Sequence, residues 1–309
     1  MATYSGPAAR LLALCERGDQ KQLLPLLQDS DILTTVLGTE NIVLFPSPQF
    51  ASVPQPFLIL ERMIAVAARG GYVELVSALL QFGQQHGVAP PYMVTTSVVR
   101  AALDQVANSL NLLLALQRVQ PEVFSIRLPM GRHILETVCL GSENEPQARL
   151  LLLRHMMEMG FDPNMHLSRH GRERGVLLCN ASRYASCEMV RCLLNHGAVI
   201  KKSNALRGAA KYGRIDVLEV LLQYGADLDE SSERKDQDGP AGTAFHVAAA
   251  NGQAEAARWL MTHGASPALE NRDGNTPGDL LAGDNNELAL LLGQGNYCGL
   301  QKECSTLNR

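Results

Sequence analysis

The chain has 309 residues, 46% of them hydrophobic, 5% aromatic and 19% charged, with a net charge of −4. No apolar run approaches the ~20 residues that cross a bilayer, and Met-Ala-Thr-Tyr-Ser-Gly at the start lacks the basic-then-apolar order of a secretory signal. The seven cysteines are scattered without paired spacing, so free thiols in a reducing compartment, cytoplasmic or nuclear, are expected.

In chain order, residues 8–28 predict a first helix pair. Its turn falls at Gly18-Asp19, and Pro25 is expected near the start of the second helix, where proline is tolerated. Residues 29–56, with Pro46, Pro48, Pro54 and Pro56, predict an irregular insertion. It is expected to be a surface excursion, or a flap carrying Phe45, Phe50 and Phe57. Helix pairs resume at 59–82. Residues 94–159 keep apolar spacing without a motif and predict degenerate repeats. Clear repeats follow at 176–197, 204–225, 243–264 and 276–293, with hairpin-type loops at 161–175, 198–203, 226–242 and 265–275. The tail 294–309 is expected to be flexible.

Two strings carry the periodicity. Thr243-Ala-Phe-His246-Val-Ala-Ala249-Ala-Asn-Gly252 is followed 33 residues later by Thr276-Pro277-Gly-Asp279-Leu-Leu-Ala282. Glycines recur 12 apart, as Gly252 with Gly264, Gly213 with Gly225, and Gly71 with Gly83, and Ala185 stands in the same relation to Gly197. Each second position is expected to close a helix in the left-handed conformation. Paired small residues (Ala67-Ala68, Ala209-Ala210, Ala248-Ala249) would let neighbouring first helices approach closely. This pattern resembles the ankyrin repeat. The resemblance implies an all-α, ankyrin-type solenoid of about seven or eight helix pairs over residues 1–293, with a degenerate N-terminal half. It also implies that His246 and Thr243 bond to each other and to backbone as scaffold. His196 and His263, beside terminal glycines, are assigned the same role, and Trp259 is expected in the core.

Catalytic and metal-binding patterns do not emerge. His166 and His170 are four apart but in a loop context without a zincin glutamate. His133, Glu136 and Cys139 share one helical face, and three residues of one helix seldom give nucleophile and base a workable geometry. No phosphate loop, nucleophile elbow or paired-cysteine metal site is present, so no cofactor or metal is expected. An enzymatic or small-molecule pocket formed by the degenerate repeats and the Pro-rich insertion, with Arg132, His133 and Glu136 as its first candidates, is the alternative.

Charge carries more functional content. Residues 1–126, 127–214 and 215–309 have net charges of −2, +7 and −9. Aligned motifs put Arg183-Tyr184 and Lys211-Tyr212 at the same positions of successive repeats, with Arg69 at the first of these positions earlier in the chain. Arg207 replaces the motif histidine, as Cys179 does one repeat before. Arg169, Arg172 and Arg174 lie in the adjoining loop. In the ankyrin class such positions line the concave face, so these residues are expected to form a partner-binding strip. The expected role is a protein-interaction scaffold or adaptor that binds an acidic segment of another protein. The overall charge and the acidic C-terminal third weigh against nucleic acid.

Overall fold

The computed structural model describes residues 6–40, 57–129, 132–140, 146–164, 176–232 and 239–280. The chain divides into two compact units, the first comprising residues 1–134 and 147–152, the second residues 135–146 and 153–309. The regular elements among the described residues are helices, with one two-residue antiparallel ribbon, β1 (Thr39–Glu40) with β2 (Phe57–Leu58), and two isolated antiparallel bridges, Arg127 with His133 and Ser232 with Gly242. No helix among them is long and apolar enough to cross a membrane, and the described cysteines are free.

The first unit contains α1 (Pro7–Arg17), α2 (Gln20–Leu26), α3 (Ser30–Leu37), α4 (Ile59–Arg69), α5 (Val73–Gln85), α6 (Pro90–Met93), α7 (Thr96–Asp104) and α8 (Ser109–Val119). Here α4 is the central element, packed against α1, α3, α5 and α7. Its Ala67 and Ala68 are fully buried, as the small-residue pattern predicted. Three local expectations change. The insertion at 29–56 opens with a helix, α3, because Asp29 caps it by accepting from the Asp31 amide at 2.9 Å. Phe45 and Phe50 lie outside the described residues. In α2, the Asp19 carboxylate caps the Gln22 amide at 3.1 Å and starts the helix at Gln20, so Pro25 falls in the last turn and not near the start. Finally, Gly83 does not end α5. It is buried within the helix, and a Cβ there would come 2.2 Å from the Met93 sulfur. The left-handed glycine is Gly87, at φ 74°, one turn later. The 12-residue spacing marks a packing site, and the true helix end follows it.

The second unit contains α9 (Ile134–Cys139, of which Ile134 belongs to the first unit), α10 (Pro146–Glu158, shared likewise), α11 (Val176–Tyr184), α12 (Cys187–Asn195), α13 (Ala205–Lys211), α14 (Ile215–Gln223), α15 (Ala244–Ala250) and α16 (Ala254–Thr262), then a 3-10 turn at Pro277–Leu280. The first helices α11, α13 and α15 pack in succession, and the second helices α12, α14 and α16 form a parallel layer. Leu193, Leu218, Leu221 and Leu260 are fully buried between the layers, each contributing about 1.5–3 kcal/mol. At the ends of α12, α14 and α16, Gly197, Gly225 and Gly264 adopt φ of 87°, 82° and 101°. The following amides of Ala198, Ala226 and Ala265 then bond to Leu193, Leu221 and Leu260 carbonyls at 3.0 Å. These glycines are the helix stops that the sequence spacing predicts.

Polar side chains stitch each repeat to the next. Asn164 donates to the Gly197 carbonyl and accepts from the Val199 amide, both at 2.8 Å. Asp229 likewise accepts from the Ser266 amide at 2.8 Å. Thr243 and His246 behave as expected of scaffold. His246 is fully buried, and its Nδ1 accepts from the Thr243 amide at 3.1 Å and hydroxyl at 2.9 Å. Its Nε2–H donates to the Asn275 carbonyl at 3.1 Å, a bond that defines the neutral tautomer. Burial pushes the His246 pKa below the ordinary histidine value. His196 and His263 end their helices by donating Nδ1–H to the Cys192 and Trp259 carbonyls at 2.8 Å. Trp259 is half-buried, not core, because it stacks on the exposed His263 ring at 3.9 Å between centroids.

Candidate functional site

Helices α11 and α13 approach closely because Gly208 has no side chain. A Cβ at that position would lie 3.0 Å from Arg183 Cγ and 3.3 Å from the Cys179 carbonyl oxygen. A glycine inside a helix costs about 1 kcal/mol relative to alanine, and here the close contact offsets it. The two C-terminal tyrosines consequently meet across the repeat boundary. Tyr184 and Tyr212 hydroxyls are 2.9 Å apart, with ring centroids 5.3 Å apart and planes tilted by 57°. Both rings remain exposed, at 42% and 41%. The Lys211 ammonium lies over the Tyr212 ring, 5.4 Å from its centroid, a cation–π geometry. The bond from Tyr212 is the main cause holding the Tyr184 phenol above its ordinary pKa, with burial second.

Arg214 secures the pair from the turn side. Its Nη1 donates to the Ala185 carbonyl, next to Tyr184, and its Nη2 reaches the Asp216 carboxylate at 3.1 Å. This tie between turns was not anticipated from the sequence, where Arg214 was one cation among many. Gly208 was also missed, although a glycine amid helix-forming residues was a visible sign of a packing constraint.

The remaining strip candidates divide. Arg183 is 7% exposed and its Nη1 donates to Asn180 Oδ1 at 3.0 Å, so it lies beneath the tyrosine ridge rather than on it. Arg207 is 2% exposed. Its guanidinium donates to the Gly242 carbonyl at 2.7 Å and the Pro240 carbonyl at 2.9 Å. It replaces the motif histidine both in position and in what it does. Cys179 reaches the Asn204 carbonyl, Arg207 the Gly242 carbonyl and His246 the Asn275 carbonyl. Each ties its helix to the start of the next repeat. Periodicity cannot separate a cation pointing outward from one aimed at a neighbouring loop. Arg169, Arg172 and Arg174 lie outside the described residues, as do His166 and His170.

Of the alternative pocket candidates, His133 is buried, Glu136 is partly exposed and Arg132 is exposed. Burial lowers the His133 pKa, with Arg127 adding to the effect. Among the described residues one cleft lies at the α1–α2 turn, around Gly18–Pro25, and another lies between that turn and the α4–α5 turn at Gly71–Leu75. Among the described residues no group of three or more His, Cys, Asp or Glu is placed to hold a metal ion.

Stacked helix pairs closed by left-handed glycines and tied by a Thr–His cap define a helical-repeat protein, and comparison with known families specifies which kind. A model described as ankyrin repeats (many copies) matches residues 206–261: the chain carries ankyrin repeats. Among curated proteins, it is 35% identical over 88 residues to Protein phosphatase 1 regulatory subunit 27 of Homo sapiens, covering 28% of this chain and 53% of that protein. The Mus musculus counterpart is 33% identical over 87 residues, again 53% of its length. CAP-Gly domain-containing linker protein 3 of Mus musculus is 38% identical over 78 residues, 25% of this chain and 14% of that protein. The chain thus spans about half the length of the first two relatives.

Proposed function

We propose that this protein is a non-enzymatic adaptor that binds another protein through the first-helix face of its second unit, with Tyr184, Lys211 and Tyr212 at the centre of the site. The observation that carries the reading is the exposed tyrosine pair bridging two repeats. Aromatic residues with a polar tip concentrate binding energy where they can be desolvated, and these two are held rigidly enough to bind without a large ordering cost. The partner segment is acidic. Lys201, Lys202 and Lys211 lie within the stretch 127–214, whose net charge is +7, and such an excess steers an acidic segment. Arg183 and Arg207 serve the site from below, by shaping α11 and α13. Arg169, Arg172 and Arg174 would extend the basic surface. The likeness to a protein phosphatase 1 regulatory subunit agrees with a role exercised through a protein partner, and makes protein phosphatase 1 the first defined candidate to assay.

The test is affinity capture from native extract, together with a binding assay on purified protein phosphatase 1. A Tyr184→Ala/Lys211→Glu/Tyr212→Ala variant that retains wild-type circular dichroism should release a partner that the wild type holds. Equal retention of every captured protein by the two would sink the site assignment. Capture of no protein by the wild type would sink the adaptor reading itself.

A further inference from the structure

We propose that the segment received by the tyrosine ridge is in extended polyproline II form, with a prolyl ring against Tyr184 and Tyr212 and a carboxylate paired with Lys211. This rests on the adaptor reading above and specifies the chemistry of its partner.

The backbone of the ridge narrows the choice. A strand partner needs an unpaired backbone edge to add to, and the ridge is built on α-helices, whose amides and carbonyls bond within the helix. An amphipathic helix buries an apolar stripe about 100° wide and needs a broad apolar seat. Among the described residues of the ridge, the two exposed ring faces are bordered by hydroxyls and an ammonium group. A polyproline II segment asks for less width. It makes no internal hydrogen bonds, so its carbonyls are available to outside donors, and its stiffness lowers the entropy lost on docking.

The ridge offers the matching groups. The rings, 5.3 Å between centroids and tilted by 57°, touch each other and are 42% and 41% exposed, so a prolyl ring would pack by van der Waals contact on their outward surface and not between them. The hydroxyl-to-hydroxyl bond uses one of the two phenolic hydrogens. The other can turn outward to a backbone carbonyl of the bound segment. An extended segment advances about 3.1 Å per residue in this form, so an acidic residue one or two positions from the proline reaches Lys211, which lies over the Tyr212 ring at 5.4 Å. Charge complementarity with the basic stretch 127–214, at net +7, selects an acidic segment over a neutral one.

The experiment titrates the full chain into three fluorescein-labelled peptides by anisotropy. One has proline at every third position with glutamates between, one has alanine for each proline, and one has glutamine for each glutamate. The proline-glutamate peptide should bind most tightly. The alanine version should lose about tenfold or more in affinity, equivalent to about 1.4 kcal/mol. The glutamine version should be weaker at low salt, and the gap should close as salt rises. Tyr184→Phe/Tyr212→Phe should keep part of the binding, and Tyr184→Ala/Tyr212→Ala should lose it while the melting curve stays wild type. Equal affinity for the proline and alanine peptides overturns the polyproline assignment and leaves the adaptor reading standing. Proline-dependent binding that ignores the tyrosine substitutions overturns it too, as does binding of none of the three, since capture of a protein partner is read separately.

Discussion

At the scale of single residues, His246, Arg207 and Cys179 differ in charge and size, yet each reaches a carbonyl at the start of the following repeat. Replacing His246 with alanine leaves the Thr243 amide and the Asn275 carbonyl short of a partner, and should cost about 1–3 kcal/mol in urea denaturation. Its pH dependence has a definite sign. Burial depresses the folded-state pKa, so below the unfolded value the unfolded chain binds more protons. His246 therefore contributes stability above about pH 6.5 that is lost as pH falls towards the folded pKa. The wild type should lose stability between neutral and mildly acidic pH, and this slope should flatten in His246→Ala; an unchanged slope would show that other groups cause it. Arg207→Ala should likewise destabilise the fold, by about 1–3 kcal/mol for the unsatisfied carbonyls at 240 and 242, as measured by the shift in the denaturation midpoint.

At the scale of elements, glycines with the same sequence appearance do different jobs. Gly83 and Gly87 both lie near the end of α5, but Gly83 makes room for Met93 whereas Gly87 supplies a positive φ with open space around it. Gly83→Ala should cost about 1–3 kcal/mol through overpacking, and Met93→Ala should relieve much of that cost in a double-mutant cycle. Gly87→Ala should cost about 1 kcal/mol, for the conformation alone, and Met93→Ala should not relieve it. Additive behaviour in the first pair would show that the Met93 sulfur is not what Gly83 accommodates. Gly208 links packing to the site. Gly208→Ala must shift α13 or the Arg183 side chain by a few tenths of an ångström to clear Arg183 and the Cys179 carbonyl, and should loosen the contact between the tyrosine rings. Nuclear magnetic resonance should then show weaker ring-to-ring contacts between Tyr184 and Tyr212 while the helices persist, and unchanged contacts would show that Gly208 does not set the approach of the rings.

At the scale of the whole molecule, each unit has its own buried core, but the second is tied between repeats by Asn164, Asp229, Arg207 and His246. In the first unit, longer-range side-chain bonds include those of Thr95 to Glu61 and of Tyr72 to the Glu16 carbonyl. Repeat stability is the sum of intrinsic terms and nearest-neighbour terms, so the first unit should open first. Hydrogen exchange should show stronger protection in α11–α16 than in α1–α8, and the reverse order would contradict this.

The ankyrin repeats of the second unit could be read directly from the sequence, because local rules dictate them. Helix stops at Gly197, Gly225 and Gly264 need only a left-handed residue after an apolar run, and the Thr243–His246 cap needs only three residues of spacing. Aligned repeats also brought Tyr184 and Tyr212 into one register. What the sequence could not decide was direction. Arg183 and Lys211 occupy equivalent positions, yet one guanidinium turns inward to Asn180 while the ammonium stays over a tyrosine ring. Arg207 turns towards a loop more than 30 residues away in the chain. A long flexible cation follows whichever carbonyl or carboxylate the neighbouring repeat offers, and that choice exists only once the repeats are stacked. The same holds for Gly83 and Trp259, where distance to Met93 and stacking on His263, rather than spacing along the helix, determined the role of each residue.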